Sequence, residues 1–221
     1  MVMDDLKGSS GIPSDELLDA SPMSTYEIMR SGKGKGFCEN SALVYYLFAN
    51  AASIPTRLVD MAGKFGPLKL TGHYVCESWL QDHGRWSYVD PQSGVASVHN
   101  SDNAVLHTLE IKKVVDMGLL GTCRVFQHDP GTGRVDDRDA SDFAARINGY
   151  LMGDVVLAYK FGYVRNLTFR RLRNFLKHPV LLYATFRLPN LYRLKIALAV
   201  LLSICWSFAL VSGLWSMVNL P

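Results

Sequence analysis

The chain has 221 residues, room for one ordinary globular domain and an appendage. With 48% apolar and 19% charged residues it is not a disordered chain. Its formal charge of +3 hides a division: nine of the 23 Lys and Arg follow Asp154, the last acidic residue, so residues 1–154 carry 14 cations against 20 acids, a net of −6. An acidic domain joined to a basic tail points to a polyanion or an anionic membrane surface as the tail's partner.

Residues 1–23 read as a loose lead-in of Gly, Ser, Pro and acids. Ser24 and Glu27 form a capping-box pattern and predict a short helix through Met29. Residues 31–36 hold too many glycines for a helix or strand. From Cys38 to about Ala52, Leu43, Leu47 and Ala51 recur at helical spacing, and Pro55 ends the run. Residues 56–61, 72–80 and 85–90 read as strands, the last two joined by a hairpin loop over 81–84. Residues 105–118 are a helix candidate, 129–139 a polar loop, and 142–160 a helix capped by Ser141. Over 161–177 apolar residues alternate with five cations, which suits either a helix on anionic headgroups or a basic face docked on the acidic domain. Residues 196–218 carry no charge and are long enough to span a ~30 Å hydrocarbon core as a helix. Arg187, Arg193 and Lys195 precede them, so the positive-inside rule puts the acidic domain in the cytoplasm. The absence of a signal-peptide pattern agrees with that, as do four cysteines read as free thiols.

A thiol becomes a nucleophile when its pKa is lowered and its proton has somewhere to go. Cys38 follows the Gly-rich stretch and opens a helix, where unpaired N–H groups favour a thiolate. Taken alone, such a cysteine is more often a small buried side chain. His73 starts one strand of the expected hairpin and Asp90 ends the other. Side chains alternate faces, so the two share a face only when paired residue numbers sum to an odd value. A sum of 165 pairs Trp79 with Trp86, and a sum of 163 pairs His73 with Asp90; both are buildable. Either way Cys76 points to the face opposite His73, and Asp90 can hold the imidazole as the orienting member of a triad.

Residues Gly36-Phe37-Cys38-Glu39-Asn40-Ser41-Ala42, then Ser53-Ile54-Pro55-Thr56-Arg57, then Gly72-His73-Tyr74-Val75-Cys76-Glu77, then Trp86-Ser87-Tyr88-Val89-Asp90-Pro91 resemble, in this order, the transglutaminase-like superfamily. The resemblance covers roughly residues 20–95. It implies an α+β, papain-like core in which a nucleophile at a helix N-terminus packs on an antiparallel sheet. It also implies Cys38, His73 and Asp90 as nucleophile, base and orienter. Two departures stand out: Val75 occupies a position where many members carry Trp, and no Trp precedes Trp79 to serve an oxyanion hole. The backbone N–H of Cys38 is the substitute donor.

The remaining candidates fall away. His83 reads as a solvated turn residue, His99, His107, His128 and His178 lack metal-ligand spacing, and Asp136, Asp137, Asp139 and Asp142 lack the order of a calcium loop. Gly131-Thr132-Gly133 is only a fragment of a phosphate loop, and the sequon at Asn166 would face the cytoplasm. The expected organisation is a catalytic domain over 1–142, a helical basic juxtamembrane region over 143–195 and a transmembrane helix over 196–218. The expected function is a cysteine protease, amidase or transamidase acting on a peptide, protein or other amide, with no cofactor, no metal and no nucleic-acid partner. The rival expectation is a non-catalytic, membrane-anchored binding or scaffolding module that retains the fold.

Overall fold

The computed structural model describes residues 2–6, 8–18, 20–65, 68–129, 131–161, 181–185 and 191–218. It divides into two units, Met1–Thr185 and Phe186–Pro221. In the first, helices α1 (Val2–Asp5), α2 (Asp15–Leu18) and α3 (Pro22–Arg30) precede α4 (Cys38–Ala51). Helix α3 starts ahead of the capping-box pattern. Ser21 is its N-cap and accepts from the Ser24 N–H at 3.1 Å, and Pro22 fills the first turn, where a missing N–H does no harm. The lead-in is less loose than its composition suggests: Leu6, Leu17, Tyr26 and Met29 bury themselves against Val44 of α4.

After α4 the chain forms β1 (Thr56–Phe65), β2 (Leu68–Leu80), β3 (Arg85–Val89) and β4 (Val95–His99). Helix α5 (Thr108–Asp116), strands β5 (Arg124–Asp129) and β6 (Arg134–Arg138), helix α6 (Ala140–Leu151), and strands β7 (Val155–Lys160) and β8 (Leu181–Ala184) follow. Two antiparallel sheets result, one ordered β3-β2-β1-β7-β8 and one ordered β4-β5-β6. The chain is therefore α+β with an antiparallel sheet at its centre, as expected.

Two expectations need correction. The single helix over 142–160 is a helix and a strand. Helix α6 stops at Leu151, Gly153 turns the chain at φ 71°, and Val155, Leu157 and Tyr159 then alternate into the core beside β1. The stretch from 143 is consequently no helical juxtamembrane region in this part, because β7 is an inner strand of the main sheet. The polar stretch 129–139 is likewise half strand, since β6 pairs with β5 along its length. The basic segment called over 161–177 lies outside the described residues from position 162 onward.

The main sheet has two covered faces. Helix α4 lies on the face presented by Leu58, Cys76 and Val89. Helix α6 covers the other, where Val59, Met61, Val75, Tyr88 and Leu157 meet Phe143 and Ile147. One buried ion pair ties this second face together. Glu77, wholly buried, accepts from Arg57 Nε at 2.8 Å and Nη2 at 2.5 Å, and from the Thr108 N–H at 2.8 Å. The guanidinium lies over the rings of Trp86 and Tyr159, 4.2 and 4.7 Å from their centroids. Both members are satisfied, and removing either would strand a buried charge.

The second unit holds α7 (Leu191–Val218), a helix of 28 residues. Leu198, Val200, Leu201, Ile204, Trp206 and Phe208 are all exposed on it. The hydroxyls of Ser203, Ser207 and Ser212 donate to the carbonyls of Ala199, Ser203 and Phe208, so these polar groups are spent within the helix. Among the described residues no helix is long and apolar enough to cross a membrane. The expected span, 196–218, falls partly outside 197–212, the residues of this helix described with their side chains.

Candidate active site

The site begins with the N-terminus of α4. Gly36 must be glycine: a Cβ there would stand 2.7 Å from the Asn40 Cβ and 3.0 Å from the Met29 sulfur. The close approach lets Asn40 reach back and accept the Phe37 N–H at 2.9 Å, capping the helix through its third residue. Cys38 is thereby held as the first helical residue, half-buried, where backbone N–H groups have no intrahelical acceptor.

The hairpin supplies the other two groups. Its register pairs Trp79 with Trp86 and Cys76 with Val89, the 165 sum of the two that parity left open. His73 and Asp90 consequently share the α6 face, while Cys76 turns to the α4 face. The contact between the first two is direct: His73 Nε2 lies 2.8 Å from Asp90 Oδ2, both side chains being buried. Asp90 is fixed in turn, its Oδ1 accepting the Ser93 N–H at 3.2 Å and its backbone pairing with Val95.

Helix α4 and the imidazole thus belong to opposite faces of one sheet, and they meet around its edge. Strand β3 pairs with β2 only as far back as Cys76. The Trp79 N–H donates toward β1, to the Pro55 carbonyl at 2.8 Å, so by alternation the Tyr74 N–H points to the edge that β3 has vacated. That N–H and the His73 side chain both act on the Cys38 thiol and lower its pKa. An early end to β3 is what leaves this edge open between the thiol on one face and the histidine on the other.

The electrostatics follow from these contacts. Burial pushes the Cys38 thiol up, but hydrogen bonds from the His73 side chain and the Tyr74 N–H, the His73 charge and the Glu39 N–H together hold it below its ordinary value. Burial works against the His73 imidazolium, yet the bonds to Asp90 and Cys38 and their charges push it up to about 9. Burial likewise opposes the Asp90 carboxylate, which the His73 contacts and the Ser93 N–H nonetheless keep low. All three shifts favour one state: thiolate, imidazolium, carboxylate. With Nε2 engaged by Asp90, Nδ1 is the ring nitrogen left for the thiol.

The other thiols are built differently. Cys76 is fully buried and donates to the Ala42 carbonyl at 3.3 Å, and burial pushes it well above its ordinary value. Cys123 is buried and raised for the same reason. Cys205 is exposed in the second unit. Among the described residues no group of three or more His, Cys, Asp or Glu side chains is arranged to hold a metal.

Two contributors escaped the reading of the sequence. Tyr150, in the last turn of α6, stacks on the His73 ring with centroids 4.8 Å apart and planes 21° apart. The Tyr74 N–H is a backbone group that only strand alternation reveals. Nothing local marks Tyr150, since the helical spacing of Phe143, Ile147 and Leu151 signals only the buried stripe beside it. Beside the triad lies a cavity of about 370 Å³ with His73 and Asp90 in its wall. Comparison with family models, with characterised proteins and with solved structures found no match.

Proposed function

We propose that the chain is a thiol enzyme of transglutaminase-like, papain-like type that cleaves or exchanges amide bonds by acyl transfer. The observation that carries this reading is the buried His73–Asp90 bond at 2.8 Å beside a helix-start thiol that His73 influences, with each of the three pKa values displaced toward the charged form. A buried structural cysteine is moved the other way, as Cys76 is.

The Cys38 thiolate attacks the carbonyl carbon, forming the S–C bond and moving the carbonyl π electrons onto oxygen. The N–H of Cys38, without an intrahelical acceptor by its position, is the donor available to that oxyanion. Collapse restores the carbonyl and breaks the C–N bond while the imidazolium gives its Nδ1 proton to the departing nitrogen. The thioester is then attacked by water, deprotonated by the now neutral imidazole, which releases the acid and restores the ion pair. An amine in place of water gives transamidation. The Asp90 carboxylate keeps the ring oriented and its charge compensated throughout.

Membrane attachment through residues 196–218, with the catalytic unit in the cytoplasm, belongs to the same proposal. The run of apolar side chains exposed around α7 and the internal bonding of its serines support it, because hydrocarbon accepts a helix only when its polar groups are satisfied within it. Intact mass spectrometry after exposure to p-nitrophenyl acetate tests the chemistry. Acetylation of the wild type, absent in Cys38→Ala and persistent in His73→Ala because deacylation has lost its base, is the expected result. Acetylation that is equal in wild type and Cys38→Ala would remove the proposal.

A further inference from the structure

The cavity beside the triad has a polar end that the reaction described above does not use. Its wall joins β2 and β3 to α6, with Phe143 and Ile147 as apolar sides and Tyr150 beside His73. Tyr88 also forms part of it, fully buried, its hydroxyl without a hydrogen-bond partner among the described residues. A buried donor of this kind is expensive to leave unmade. Arg146, one turn before Tyr150, completes that end. Its Nε is tied to the Asp142 carbonyl at 3.3 Å, its charge is felt at the Tyr88 phenol, and among the described residues it pairs with no acid. A buried neutral phenol and an exposed guanidinium lining the same cavity are complementary to a carboxylate.

The cavity includes His73 and Asp90 in its wall but not Cys38, and this decides which part of a substrate enters. The acyl carbon must sit on the sulfur. The departing nitrogen must sit at His73, and whatever that nitrogen carries lies on the cavity side. A volume of about 370 Å³ is near the lower end for small-ligand sites and suits one amino-acid-sized group.

Resting on the acyl-transfer reading, we propose that this cavity binds the leaving amine and selects one that bears a carboxylate. The substrate class is then a peptide cleaved at its carboxy-terminal residue, or an acylated amino acid, with an aliphatic or aromatic side chain against Phe143 and Ile147. The carboxylate accepts hydrogen bonds from the Tyr88 hydroxyl and from the Arg146 guanidinium. The free amino acid departs as the thioester forms, and water then releases the acyl group as above.

The test separates binding from chemistry. In the full chain carrying Cys38→Ala, calorimetry compares acetyl-Ala-Leu as the free acid with its carboxy-terminal amide. The acid is expected to bind about 10- to 100-fold more tightly, the range of hydrogen bonds made to a charged group. Adding Arg146→Gln should abolish that preference, and Tyr88→Phe, which keeps the packing, should weaken it about 3- to 10-fold. Equal binding of acid and amide, or a preference that survives Arg146→Gln, overturns the proposal. Turnover by the wild type is read separately. Cleavage of acid and amide at equal rates refutes the carboxylate site while sparing the acyl-transfer reading. A binding preference with no cleavage of either compound supports the site and refutes the reaction assigned to it.

Discussion

Cys38 and Cys76 lie within one turn's reach of the same helix, yet their environments drive them in opposite directions. Cys76 faces the flank of α4, where it donates to the Ala42 carbonyl, and complete burial with the nearby Asp90 and Glu77 charges holds its thiol protonated against the pull of the Tyr46 N–H. Cys38 sits at the tip of α4 and at a sheet edge, where the backbone offers N–H groups from Glu39 and Tyr74 and the His73 ring adds a cation. The difference lies in position relative to chain ends rather than in burial alone. A helix start and a strand edge both expose donors, and a thiol placed where the two coincide is stabilised as the anion.

Mutations can break this contrast in graded steps. Cys38→Ala should reduce turnover by about 10⁴-fold or more, whereas Cys76→Ala should leave kcat near wild type and lower only stability, by about 1 kcal/mol, as assays beside thermal melts would record. His73→Ala removes the proton carrier and should lower kcat/KM by about 10³- to 10⁴-fold. Asp90→Asn keeps the shape but loses the charge and should lower it by about 10²- to 10⁴-fold, with a shifted pH profile as the sign that orientation and charge both mattered. Tyr150→Ala frees the ring from its stacking partner and should have the smallest effect, about 10-fold, falling on kcat rather than KM.

The pH dependence sharpens the same contrast. Cys38 lies below its ordinary value and His73 near 9, so the ion pair persists between the two. Turnover should rise as Cys38 ionises, hold level, and fall above about pH 9, where the imidazolium that protonates the leaving group is lost. Alkylation of Cys38 needs only the thiolate, so it should keep its plateau above pH 9 while turnover declines. Coincident decline of both would mean that His73 is not the acid.

Parts of this arrangement can be read from residues alone, for identifiable reasons. The pairing of His73 with Asp90 follows from strand parity, because the two tryptophans and the Gln81–His83 turn leave few registers to choose from. Strand β6 was invisible: Arg134 to Arg138 are almost all charged and exposed, so the strand forms by pairing with β5 and has no apolar alternation to betray it. Strand β7 was misread because Val155 and Ala158 continue, by coincidence, the spacing of Phe143, Ile147 and Leu151. Only the left-handed Gly153 separates helix from strand. The cavity had no signature, since Tyr88 and Arg146 become neighbours only when α6 lies across the sheet.

Site-resolved alkylation with iodoacetamide from pH 4 to 10, read by peptide mass spectrometry in the wild type and in His73→Ala, addresses the thiolate–imidazolium pair directly. Cys38 should outpace Cys76 and Cys123 by about 10²-fold or more at pH 7. In His73→Ala its rate should fall about 10- to 100-fold and its pH midpoint should move upward, because the thiolate has lost a donor and a neighbouring cation while burial still opposes it. A Cys38 that reacts no faster than Cys123, or a midpoint unmoved by the loss of His73, would contradict the account.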